Sequence, residues 1–183
     1  MKLSLNIILP MALAATSVNA FAIERNHEGY DFLVGARASY IDNKLGDSSD
    51  TTDAYGAEFT LSKSFQYRPK LSAGFQFLID VAKVNHRGYS EDFDVNTWGL
   101  SPFVSYRIMD QFEIYAKVGI ANWSYELNDD YELNGYDPIY GAGLRFNFVN
   151  RAYVGLEWQF IEMDDKDVEL DTQFATLSAG YRF

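Results

Sequence analysis

Apolar and polar residues alternate through most of this chain. Tyr30, Phe32, Val34, Ala36, Ala38 and Tyr40 are apolar, while Asp31, Gly35, Arg37 and Ser39 fill most of the places between them. In a strand, residues two apart share a face, so residues 30–40 carry one apolar side and one small or polar side. The same alternation predicts strands over residues 54–64, 71–83, 97–108, 112–124, 139–148, 152–161 and 173–183. These are eight strands, each of about ten residues, enough to cross a bilayer when tilted. The spacers alternate in length. Residues 65–70, 109–111 and 149–151 are brief, whereas 41–53, 85–96, 125–138 and 162–172 are long.

Which face turns inward decides the architecture. In a soluble barrel of the lipocalin kind the apolar faces line the interior. In a membrane barrel they meet lipid, and small or polar residues fill the lumen. Here the polar faces are rich in Gly, Ser and Thr with isolated charges, which suits a narrow lumen packed by side chains. Short turns at one rim and longer loops at the other are the pattern of an outer-membrane barrel. The expected fold is therefore all-β: an eight-stranded antiparallel up-and-down transmembrane barrel. Outward aromatics near strand ends, such as Tyr30, Tyr40, Trp98, Tyr106 and Tyr181, are expected to form its interfacial girdles.

The N-terminus supports export. Lys2 precedes an apolar run over residues 3–15, followed by the small and polar residues 16–22. This order is that of a secretory signal, cleaved after Ala20 or Ala22. Asn6 and Pro10 interrupt the run, which falls short of the ~20 apolar residues a spanning helix needs. Residues 1–22 are thus expected to be a cleaved signal peptide and residues 23–183 the barrel domain.

Composition narrows the chemistry. With no Cys in the chain, a disulfide framework, a thiolate metal site and a lipid-anchored N-terminal cysteine are all excluded. Fifteen Lys and Arg stand against 26 Asp and Glu, a net charge of −11. That balance opposes nucleic-acid binding, which relies on basic residues neutralising phosphates. The four long spacers together carry −15, more than the whole chain, so the rest is net positive. Negative charge is therefore expected at the outer rim, where it keeps that rim soluble, bridges through divalent cations to anionic lipopolysaccharide, or meets a basic partner. Asp92-Phe93-Asp94 and Asp164-Asp165-Lys166-Asp167 offer oxygen ligands, but neither matches a calcium-loop pattern, and no metal or cofactor is assigned. Tyr89, Phe93, Tyr131 and Tyr136 among the acids suit a protein-binding surface.

At the C-terminus, Ala175, Leu177, Ala179, Tyr181 and Phe183 alternate and end on an aromatic residue. This resembles the terminal signature of bacterial outer-membrane β-barrels, and Gly141-Ala142-Gly143-Leu144-Arg145 resembles their glycine-bearing strands. The mature chain is similar to the small eight-stranded group: the transmembrane domain of outer-membrane protein A and the OmpX/Ail-like proteins. The resemblance implies a Gram-negative cell surface and outer-membrane lipid and lipopolysaccharide as surroundings. It also implies recognition of Leu177, Ala179, Tyr181 and Phe183 by the barrel-assembly machinery, and a possible host or extracellular protein partner. Because the chain stops at Phe183, a periplasmic wall-binding domain is not expected.

The strand phase places Arg37, Glu58, Lys117, Arg145 and Glu157 inside, near mid-barrel. Buried charges need partners, so these five residues are expected to form a salt-bridged lumen. The leading reading is a non-enzymatic barrel with acidic extracellular loops, serving envelope structure or surface adhesion. An alternative is a narrow, low-conductance pore gated by exchange of partners around Lys117 or Arg145, as the resemblance suggests. A lipid A-modifying enzyme is a third. His86, near Ser90 and Asp92, is its rim candidate, but His-Arg-Gly-Tyr-Ser matches no such motif, and no catalytic residue is assigned. His27 precedes the first strand and takes no role.

Overall fold

The computed structural model describes residues 30–45, 48–85, 92–126, 132–165 and 168–183. The expected signal peptide, His27 and His86 lie outside these residues. The chain forms strands β1 Tyr30–Leu45, β2 Ser48–Phe65, β3 Arg68–Asn85, β4 Asp92–Met109, β5 Phe112–Glu126, β6 Glu132–Asn147, β7 Ala152–Asp165 and β8 Val168–Arg182. Each pairs antiparallel with the next, and β8 returns to β1, from Leu33↔Arg182 to Lys44↔Asp171. Closure leaves no exposed strand edge, so every ladder hydrogen bond finds a partner within the chain.

Alternation sets the two faces as the sequence predicts. Along β3, Ser72, Gln76, Leu78, Asp80 and Ala82 are buried in the lumen, while Phe75, Ile79 and Val81 point outward and are exposed. Leu100, Val104, Val118, Leu156 and Leu177 continue this outer apolar surface around the wall. Aromatic rings bound it at both ends. At the end that carries the chain terminus, Phe146 packs on Phe148 at 5.0 Å between centroids and Tyr181 on Phe183 at 5.1 Å. At the other end, Trp98 meets Tyr136 edge-on at 6.0 Å, and Tyr40 and Tyr55 also point outward.

The strands overrun the expected boundaries. The segments expected to be long loops are largely ladder: β1 and β2 pair out to Leu45↔Ser48, β3 and β4 to Asn85↔Asp92, β5 and β6 to Glu126↔Glu132, β7 and β8 to Asp165↔Val168. Beyond the outer girdle neither lipid nor a core demands an apolar side, so the period-two signal fades while backbone pairing continues. The acidic rim is thus built mainly of strand hairpins rather than loops. Its connecting residues 46–47, 86–91, 127–131 and 166–167 are outside those described. At the opposite rim the turns are as short as two residues, Gln66-Tyr67 and Asp110-Gln111. In the β6–β7 turn Arg151 adopts φ 68°, and its N–H donates to the Phe148 carbonyl at 3.1 Å.

Candidate functional site

The lumen is filled in layers, and its centre is Arg37. Inward phase on β1 buries this side chain completely. Its Nε lies 3.2 Å from Asp80 Oδ1, and its Nη1 lies 3.6 Å from Glu58 Oε2 and 3.5 Å from Glu157 Oε1. Lys117, from β5, spends its three ammonium donors on Gln76 Oε1 at 2.6 Å, Gln159 Oε1 at 2.6 Å and Glu157 Oε1 at 2.9 Å. Gln76 Nε2 donates to Glu58 at 3.0 Å. Two tyrosines close the set: Tyr115 donates to Glu157 and Tyr153 to Glu58, each at 2.6 Å. Two cations and three carboxylates from five strands are thereby held in one partnered network. A buried network whose members are all satisfied holds its side chains rigidly.

The structure brings Arg37, Glu58, Lys117 and Glu157 together, but Arg145 belongs to a second group. It lies 3.5 Å from Glu113 and sits over the rings of Tyr115 and Tyr153, at 5.0 and 5.2 Å from their centroids. The expected single cluster is therefore two, bridged by tyrosines. Asp80, Gln76, Gln159, Tyr115 and Tyr153 were absent from the expected set although all share the inward phase. Asp80 carried the clearest signal, a charge on the polar face of a strand. Tyr115 and Tyr153 lie on the faces that alternation turns inward, but alternation does not show which buried partner a phenol hydroxyl reaches.

Above the charges, toward the acidic rim, the lumen turns apolar. Ile41, Ala54, Leu78, Ala82, Val95, Ala121, Trp123, Ile139, Ile161 and Phe174 form one buried cluster. This departs from the expectation of small and polar inward faces throughout. These residues keep the inward phase, but most sit near strand ends where the expected strands stopped. Eight strands enclose only enough room for side chains, so this layer packs as a core does.

Close approach makes one glycine pair indispensable. Gly35 and Gly180 face each other across β1 and β8 beneath the Tyr153 ring. A Cβ on Gly35 would lie 2.1 Å from Tyr153 Oη, and one on Gly180 would lie 2.6 Å from Gly35 Cα. Gly35→Ala is expected to drive the phenol off Glu58 and cost roughly 1–3 kcal/mol. Urea unfolding of the barrel in lipid vesicles checks this, and an unchanged midpoint would contradict it.

The C-terminal residues lie as the ladder dictates. Leu177 is outward and exposed, Phe183 packs against Phe32 at 5.9 Å, and the Phe183 N–H donates to the Phe32 carbonyl at 2.8 Å.

Residues 8–183 match the family profile described as outer membrane protein beta-barrel domain. No curated protein matches the chain in sequence. Among solved structures the fold is similar to Ail, the attachment invasion locus protein of Yersinia pestis. The identity is 19%, the TM-score 0.60, and 84% of this chain and 98% of that one are covered. It is also similar to Neisserial surface protein A, at 13% identity and TM-score 0.61, covering 83% of this chain and 97% of that one. The outer membrane enzyme PagL shares the fold at 11% identity and TM-score 0.54, covering 78% and 97%.

Proposed function

The chain belongs to the outer membrane protein β-barrel domain family, and from that premise we propose that it is a non-enzymatic surface scaffold. It resides in the bacterial outer membrane as a closed eight-stranded barrel. In this reading a sealed lumen anchors it, and the acidic hairpins at the outer rim engage a cationic partner, such as a basic stretch of an extracellular or host protein. Residues 1–22 serve as its export signal, lipopolysaccharide surrounds its outer half, and Leu177, Ala179, Tyr181 and Phe183 guide its assembly.

The observation that carries the reading is the division of the molecule. Charges at the centre of the lumen are partnered, whereas charge at the outer rim is in excess: the segments 41–53, 85–96, 125–138 and 162–172 carry −15. Outward on the described strands, Asp53, Glu162 and Asp171 are exposed. Ail has been solved with the heparin analogue sucrose octasulfate, but a polysulfated ligand would be repelled by this rim. The pore alternative is disfavoured by the apolar layer, which would have to be wetted before an ion could reach Lys117.

The test uses cells displaying the protein, a Lys/Arg-rich peptide and heparin. Salt-sensitive binding of the peptide and none of heparin is expected. Deleting residues 163–170 removes a paired hairpin end and leaves Glu162 and Asp171 to make the turn. That deletion is expected to reduce peptide binding several-fold while the barrel still folds. Equal binding of heparin, or peptide binding that the deletion leaves unchanged, would contradict the proposal.

A further inference from the structure

At the periplasmic mouth the lumen holds more cationic donors than the described residues satisfy. Arg107 and Glu113 are direct partners across β4 and β5, and Glu113 and Arg145 across β5 and β6, so their inward side chains stand side by side. From β8, Arg182 reaches across to Glu113, Nη2 to Oε2 at 3.0 Å, with its Nε 4.0 Å from Asp31. Glu113 therefore takes Nη1 of Arg145 at 3.5 Å and Nη2 of Arg182. Among the described residues, the buried Nε groups of Arg107, Arg145 and Arg182 find no hydrogen-bond partner, nor do the two amide atoms of Asn147. Arg145 is 2% exposed and Asn147 8%. Buried donors of this kind are normally satisfied, and a charged one left alone is costly.

Three guanidiniums face two carboxylates here, and the turns around the mouth add exposed Arg68, Lys70 and Arg151 against exposed Asp110. The local surplus is positive, opposite to the outer rim, and draws anions to this end. Depth adds a second constraint. Arg107 adjoins Tyr106, Arg145 and Asn147 flank Phe146, and Arg182 lies between Tyr181 and Phe183. The guanidiniums thus sit at the level of the aromatic girdle, where lipid phosphates lie. Planar guanidinium forks match the oxygens of a phosphate group, and an amide N–H₂ supplies a neutral donor.

We propose that this mouth binds one phosphate group through Arg107, Arg145 and Arg182, with Asn147 as an additional donor and Glu113 holding two of the guanidiniums in place. The group comes from free phosphate in the periplasm or from a phospholipid headgroup of the inner leaflet.

Phosphorus NMR line broadening on the full mature barrel, refolded in a maltoside detergent free of phosphate, tests the site. Inorganic phosphate is one probe and a short-chain phosphatidylglycerol below its micellar concentration the other. Binding of at least one probe with a Kd of about 1 mM or tighter is expected. Binding of the first alone assigns the site to free phosphate, and of the second alone to the headgroup. Arg107→Gln and Asn147→Leu are each expected to weaken that binding about tenfold. Neither residue makes a side-chain hydrogen bond among those described, and folded variants are recognised by their unheated electrophoretic mobility. If neither probe binds, or if both folded variants bind as well as the parent, the site does not exist.

Discussion

Replacing Arg37 with methionine is expected to cost the barrel about 3–5 kcal/mol, the scale on which removal of one partner from a buried ion pair is felt. The side chain is wholly buried, and its Nε and Nη1 lie within 3.6 Å of Asp80, Glu58 and Glu157. Methionine fills much of the same volume, so the loss is electrostatic rather than steric. Lys117 cannot compensate, because its three donors already serve Gln76, Gln159 and Glu157. Arg37→Lys is expected to recover part of the loss only, since one ammonium cannot span carboxylates on three strands. Urea unfolding in lipid vesicles, followed by tryptophan fluorescence, measures both. A loss below about 1 kcal/mol for Arg37→Met would mean that water reaches these carboxylates.

Phe174→Ala is the second large effect, again about 3–5 kcal/mol. Phe174 is 2% exposed and joins Ile41, Leu78, Trp123 and Ile161 in the apolar layer. Truncation removes a ring from a packed space whose walls are a hydrogen-bonded cylinder. Such walls cannot collapse far, so the cavity term adds to the transfer term. An apolar void of this size stays dry, so planar-bilayer recordings of the variant are expected to remain as silent as those of the parent. A neutral substitution would show that the layer is loosely filled, and a conducting variant would show that it is what closes the barrel.

Most of the transmembrane part of this architecture was legible from alternation alone. The inward phase of every strand, and so the burial of Arg37, Glu58, Lys117, Arg145 and Glu157, follows once one orientation is chosen. What the pattern could not give has two physical causes. Strand ends were misplaced because the hairpins above the girdle, such as Met163↔Leu170 and Asp164↔Glu169, are held by backbone pairing that needs no alternation. The apolar layer was hidden because Ile41, Val95, Ile161 and Phe174 are apolar on the inward phase, which cancels the contrast the reading depends on. Partner choice within the lumen was also out of reach. Arg145 pairs with Glu113 rather than with Glu157 because of how the strands stagger around the cylinder, and stagger leaves no mark on sequence. The tyrosines that link the two charge groups show the same limit: Tyr115 and Tyr153 are defined by where their hydroxyls end, not by their position in a period.

The three tryptophans allow the central claim, greasy residues facing lipid around an enclosed interior, to be tested in one measurement. Trp98 and Trp158 are outward, 41% and 57% exposed, whereas Trp123 is 3% exposed within the lumen. Single-tryptophan variants, with the other two changed to Phe, can be refolded into vesicles made with or without brominated acyl chains, which quench on contact. The account predicts strong quenching of Trp98 and Trp158 and little of Trp123. Strong quenching of Trp123 with Trp98 and Trp158 spared would reverse the two faces and contradict it.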